Sequence, residues 1–295
     1  MRPRTLALLV VGVLGVSSSA ILIRLAEAPP LAVSFYRNAL AASVLLPIAL
    51  GTRGPEIRSL SPRQWRLMAI SGAILALHFA LWVPSLELTS VAASTVLVTT
   101  GPVWVAIIGA ATLSERIGRR AAIGIGCTLA GAVVISGGDL GTSGGALVGD
   151  FLALGGAIAA AGYVLVGRAV RPHVSLVVYV AIVYTVAAGV LVVAMLVAGT
   201  PFTGFTPKVW LLFALMAAGP QLMGHTVFNY LLAEVEAWVV AVAVTAEPVG
   251  ASLLAFLVLD EAPPALAVAG GALILAGIAL AISSQGRRPI EIAPE

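Results

Sequence analysis

The chain has 295 residues, of which 60% are hydrophobic and 10% charged, with a formal net charge of +3 and a single cysteine, Cys127. A water-soluble domain carries roughly 25% charged residues, so this composition and a mean hydropathy of +1.08 exclude one and indicate an integral membrane protein. One cysteine excludes a disulfide framework and a cysteine-based metal site, and the basic residues lie at the ends of apolar stretches instead of forming a nucleic-acid-binding patch.

About 20 predominantly apolar residues cross the hydrocarbon as a helix. That ruler predicts an all-α integral membrane fold with ten transmembrane helices, at 5–25, 31–50, 64–86, 89–113, 119–137, 146–168, 174–198, 208–232, 235–259 and 264–283. The first stretch, with Arg2 and Arg4 ahead of it, has the outline of a signal peptide but no small-residue cleavage site, so it reads as a span that Ser17, Ser18 and Ser19 soften. Arg37 lies within the second span. Snorkelling is the default for Arg24, Arg37 and Arg168; Arg37 is the deepest, with Glu27 or a substrate carboxylate as a candidate partner.

Ionisable groups inside a span are functional candidates because lipid makes them costly. In the third span His78, Trp82 and Ser85 share one face, which suits an amphiphilic organic solute or, equally, a histidine bonded to a neighbouring carbonyl. Thr95 and Thr99 form a hydroxyl face just before Pro102 in the fourth span, with backbone bonding the alternative use. Tyr163 in the sixth span either stacks on a substrate ring or packs against lipid.

Gln221, His225 and Asn229 recur every four residues in the eighth span and predict one polar stripe facing a cavity, with interhelical bonding as the plainer reading. In the ninth span Glu247 precedes Pro248 and can bind a substrate ammonium group, take up protons or bond the loosened backbone. Pro102 and Pro248 are each expected to kink a helix near the midplane, as gating elements. Glu115 and Glu261 end paired helices and read as structural caps. Gly124, Gly126, Gly131, Gly270, Gly271 and Gly277 predict close contact between the fifth and tenth spans.

The chain repeats itself. An offset of 146 residues takes Thr99 to Thr245, Pro102 to Pro248, Glu115 to Glu261, Gly124 to Gly270 and Gly131 to Gly277, while 144 takes Gly12 to Gly156 and Arg24 to Arg168. His225 falls one residue from the counterpart of His78. The units are 1–138 and 146–284, joined by the glycine-rich stretch GGDLGTSGG and followed by a tail at 285–295 expected to be disordered. Five spans per unit, an odd number, insert the two copies in opposite senses, the inverted 5+5 plan of secondary transporters. With both termini cytoplasmic, 13 basic residues lie inside and only Arg24 and Lys208 outside, as the positive-inside rule requires.

The paired stretches SLELTSVAASTVLVTTGPVWVAIIGAATLSERIG and LLAEVEAWVVAVAVTAEPVGASLLAFLVLDEAPP resemble the two signature regions of the EamA family in the drug/metabolite transporter superfamily. The resemblance spans nearly the whole chain and implies ten helices and export of small metabolites; within the family it is nearest to the YddG-type aromatic amino-acid exporters. Glu234, Glu236 and Trp238 depart from the family's small polar run, so the two halves of the site need not match.

No P-loop, H-E-x-x-H or G-x-S-x-G stretch is present, and Lys208 is the only lysine, so no enzyme activity, cofactor or metal is expected. The sequence thus predicts a multi-pass carrier of the bacterial inner membrane working by alternating access, and the family resemblance implies export of small metabolites, aromatic or amphiphilic amino acids among them. Spans one, three, four, six, eight and nine are expected to build a central cavity, with His78, Trp82, Thr99, Tyr163, His225, Asn229 and Glu247 as its substrate-binding set. Protons are a candidate coupling ion, no obligate protein partner is evident, and a passive channel or facilitator is the alternative.

Overall fold

The computed structural model describes residues 1–89, 94, 97–113, 117–135, 144–259 and 265–283. Thr95, Glu115, Glu261, most of the joint between the units and the tail lie outside them. Every regular element among the described residues is a helix. Six helices or helix pairs are long and apolar enough to cross a membrane: Pro3–Ala26, Pro30–Ser59, Pro62–Leu88, Ala146–Val170, Leu176–Ala198 and Pro207–Leu231, with shorter apolar helices between and after them. At 1.5 Å per residue, 25 residues extend about 37 Å, enough for the hydrocarbon and part of the headgroup layer. Large apolar side chains on the outside, such as Val197, Phe151 and Leu196, belong against lipid.

Several predicted spans are not single rods. The first divides into α1 (Pro3–Ser17) and α2 (Ser19–Ala26). There Ser17 and Ser18 turn their hydroxyls back onto the carbonyls of Val13 and Gly15, at 2.7 and 2.9 Å, competing with the helix's own bonds. The second, α3 (Pro30–Ser59), runs nine residues beyond its predicted end, with Arg53 non-helical between Pro47 and Pro55. A reciprocal cap between Ser61 and Gln64 starts α4 (Pro62–Leu88) cleanly.

The prolines interrupt their spans more sharply than a kink. In the fourth span the helix restarts as α5 (Gly101–Thr112) with Pro102 at its second position. Downstream come α6 (Arg119–Ile135), α7 (Gly144–Val170) and α8 (Leu176–Ala198). The eighth span is α9 (Pro207–Met216), a π-helical segment (Ala217–His225) and α10 (Thr226–Leu231). The ninth is α11 (Ala237–Val244) and α12 (Glu247–Leu259), the latter with Pro248 second; α13 (Ala265–Ser283) follows.

Proline has no N–H to give the carbonyl four residues back, so a tight turn takes over. Thr100 N–H donates to Leu97 O at 3.2 Å and Val103 N–H to Thr100 O at 2.9 Å; at the same positions of the second unit Ala246 donates to Ala243 O and Val249 to Ala246 O, both at 3.0 Å.

Contacts between the units follow the same offset. A Cβ added to Gly124 would sit 2.6 Å from the Gly277 carbonyl, and one added to Gly131 would sit 2.6 Å from that of Gly270. Replacing each residue by its repeat counterpart turns the first contact into the second. These four glycines let α6 and α13 touch backbone to backbone. Gly126 faces open space and Gly271 touches Val249, so they take no part in that seam. Likewise Gly12 lies against the Phe228 ring and Gly156 against Trp82, each the counterpart of the other pair. Two apolar cores result. One gathers Phe79, Tyr179, Tyr184 and Phe213; the other gathers Leu9, Val105, Leu231 and Trp238.

Candidate functional site

Between the cores lies a cavity enclosing about 920 Å³, counting its open mouth. Its walls come from α1 and α2 (Val16, Ser19), α4 (His78, Trp82), the α5 start (Thr99, Gly101, Pro102), α7 (Tyr163), the end of the eighth span (His225, Phe228, Asn229) and the α11–α12 break (Thr245, Glu247). All seven residues singled out as a substrate-binding set therefore face one space, together with Pro102. Pro248 is buried beside it at the α12 start, outside the lining. The two helix interruptions put Gly101 and Glu247, the first residues of α5 and α12, at the cavity. A helix N-terminus carries a partial positive charge; the α12 start bears the Glu247 carboxylate, and its counterpart at the α5 start is Gly101.

The aromatic lining is stacked on itself. His78 and Trp82 rings are nearly parallel at 5.8 Å, and His225 meets Phe79 edge-on at 5.6 Å and Tyr163 at 6.3 Å. His78 Nδ1 lies 2.9 Å from the Gly156 carbonyl, so that nitrogen carries the proton and fixes the ring. Asn229 spends its amide N–H groups on Tyr163 Oη and on the His225 carbonyl. Two buried polar atoms of lining residues, the donor Trp82 Nε1 and the acceptor Asn229 Oδ1, have no hydrogen-bond partner among the described residues. An unmet buried group costs about 1–3 kcal/mol, which a solute that pairs with it would recover.

Gln221 departs from the expected stripe. The π-helical segment bonds i to i+5, as Thr226 N–H does to the Gln221 carbonyl, and the added residue per turn swings Gln221 off the face that holds His225 and Asn229. Its side chain instead accepts from Arg37 Nε at 3.0 Å and donates to Asn38 Oδ1 at 3.1 Å. Arg37 does not snorkel. It is fully buried, donates to Ser19 Oγ at 3.1 Å and lays its guanidinium 4.1 Å over the Phe79 ring, while Glu27 is exposed and takes no part. Arg168 also turns inward, to the Leu232 carbonyl at 2.9 Å, and neighbouring Arg171 donates to the Asn229 carbonyl at 2.9 Å, tying the end of α7 to the end of the eighth span. Only Arg24 stays exposed.

Sequence reasoning missed Ser19, Phe228 and the network around Arg37. The adjacency of Arg37 and Asn38 in an otherwise apolar span was the available signal.

Long apolar helices around a cavity with aromatic walls and few polar groups define a multi-pass membrane protein built to hold a small solute. The chain belongs to the EamA-like transporter family, whose pattern matches twice, at residues 4–137 and 147–283. It is therefore a membrane transporter of the drug/metabolite transporter superfamily, a family of carriers and not of enzymes. One solved crystal structure superposes with a TM-score of 0.80 at 20% sequence identity, covering 95% of this chain and 97% of that one, which establishes a shared fold. No curated protein matches the chain.

Proposed function

We propose that the protein exports small aromatic or amphiphilic amino acids across the bacterial inner membrane by alternating access, as do the YddG-type exporters that its sequence resembles. Ten spans form two inverted units of five, 1–138 and 146–284, with both termini cytoplasmic. The exchange of the Gly124–Gly277 and Gly131–Gly270 contacts under the repeat offset supports that plan, because paired contacts of this kind arise when two similar units face each other about a two-fold axis.

One observation carries the substrate class: an unpaired donor, Trp82 Nε1, and an unpaired acceptor, Asn229 Oδ1, belong to the lining of a cavity walled by aromatic rings. A zwitterion with an aromatic side chain answers each part. Its carboxylate accepts from Trp82 Nε1 near the N-terminus of α5, where Thr99 also lines the wall. Its ammonium donates to Asn229 Oδ1 and Glu247, and its ring lies among His78, Tyr163, His225 and Phe228. Breaks at Pro102 and Pro248 let the outer halves of the fourth and ninth spans swing without unwinding the rest.

The test is counterflow in proteoliposomes with a panel of amino acids, nucleosides and amines, with and without a pH gradient. Aromatic amino acids are expected to exchange fastest. Exchange of nucleosides or amines alone contradicts the substrate class, and stimulation by the gradient that Glu247→Gln abolishes assigns proton coupling to Glu247.

A further inference from the structure

Neither formal charge at the cavity has a counterpart in the other unit. At the repeat offsets Arg37 corresponds to Ala181 and Glu247 to Gly101, although Trp82 corresponds to Phe228 and Thr99 to Thr245. Both charges are thus additions to a framework in which Trp82 pairs with Phe228 and Thr99 with Thr245. Arg37 stands directly behind the wall: its Nη1 holds Ser19 Oγ, Ser19 lines the cavity, and its guanidinium covers Phe79, which in turn supports His225. Glu247 lies on the wall itself, and the two side chains are within electrostatic reach of one another. Among the described residues the hydrogen bonds of Arg37 go to the neutral groups Gln221 and Ser19, which fix its positive charge in place.

We infer that Arg37 is the internal countercharge of Glu247, and that this pair, neutral in sum, selects cargo of zero net charge over cations and anions of the same shape. This rests on the reading of the cavity as the transport site and adds what sets its charge selectivity. In a medium of low dielectric, charges interact far more strongly than in water, so a cation entering the cavity meets Arg37 and an anion meets Glu247 with no net attraction to offset its lost hydration. A zwitterion pairs its ammonium with Glu247 and leaves the total at zero. Arg37 acts here as a positioning residue, through field and not through contact with cargo. Among the described residues, Arg168 and Arg171, which bond the carbonyls of the lining residues Leu232 and Asn229, and His78, His225, Tyr163 and Tyr184 are the other ionisable groups around the wall; all are kept unchanged in the comparison, which is made at one fixed pH near neutrality.

The experiment measures counterflow of three compounds of one skeleton: phenylalanine, phenethylamine and hydrocinnamate. Wild type is expected to prefer phenylalanine. Arg37→Gln should raise the phenethylamine-to-phenylalanine ratio by about tenfold or more, the effect of roughly one unpaired charge. Glu247→Gln should move the ratio toward hydrocinnamate. The double variant R37Q/E247Q should return to the zwitterion, and Arg37→Lys should keep the wild-type ratio. A merely structural arginine predicts lower transport of all three compounds at constant ratio and no recovery in the double variant; either result overturns the proposal. Should R37Q not fold, E247Q and the double variant still decide it. If wild type carries none of the three, the aromatic reading fails by itself, and leucine, isoamylamine and isocaproate put the same question about charge.

Discussion

The seam between α6 and α13 and the wall of the cavity use the repeat in opposite ways. At the seam every close glycine contact is matched by its counterpart, and small residues do nothing but bring backbones together. At the cavity Trp82 is matched by Phe228 and His225 by Phe79, while Tyr163 stands opposite Ser19 and Arg37, Asn38, Gln221 and Glu247 stand opposite Ala181, Ile182, Leu75 and Gly101. Packing that must serve both orientations of a carrier stays paired; recognition of a cargo with unlike ends does not. Symmetry is therefore a guide to the scaffold and a poor guide to the site.

The largest effect that bears on this contrast is all-or-none. In a Cys127→Ala background, a cysteine placed at Arg53 should react with an impermeant maleimide only from the inner face and one at Thr200 only from the outer face. Labelling of both from one side breaks the inverted pairing on which the comparison stands.

Next in size are the seam glycines. Gly124→Val and Gly277→Val each push a side chain into a backbone carbonyl and should each cost about 3 kcal/mol or more, seen as a lower midpoint of thermal unfolding in detergent. Gly131→Val and Gly270→Val should behave like them. Gly126→Ala, in open space, should change stability by no more than about 0.5 kcal/mol. Equal losses at Gly126 and Gly124 would remove the seam as the organising contact.

Asn229→Ala should cost about 1–3 kcal/mol, because it leaves Tyr163 Oη without its donor, and should also slow counterflow. Its repeat counterpart is Val83, so no matching loss is expected from Val83→Ala beyond a deleted apolar contact. The smallest effect is Trp82→Phe, which keeps the ring stacked near His78 but removes the unpaired N–H. Apparent affinity for carboxylate-bearing cargo should weaken by about tenfold, the low end for one hydrogen bond to a charged group, while a decarboxylated amine should be unaffected.

The all-helical, membrane-spanning character was legible in the sequence because hydropathy is read one span at a time. The same holds for the residues that line the cavity, since His78, Trp82, His225, Asn229 and Glu247 are conspicuous in apolar spans. What it hid was geometry that breaks the period used to read it. The stripe from Gln221 to Asn229 assumes 100° per residue, and the π-helical segment at Ala217–His225 removes that assumption over the turn that matters. The bond from Arg37 to Gln221 joins residues 184 apart in sequence, and no local pattern announces it. The second-span arginine also reads as a snorkeller until the serine break at Ser18 brings Ser19 within its reach.

The central claim is that the space between the two units is where cargo sits. Its most direct test is substrate protection of cysteines introduced at Ala160 and Ala241, both lining residues, in the Cys127→Ala background. Saturating aromatic amino acid should slow alkylation at both positions and leave a cysteine at Gly126 unaffected. Unchanged alkylation at Ala160 and Ala241, under conditions in which the same amino acid is being transported, would place the cargo elsewhere and contradict the account.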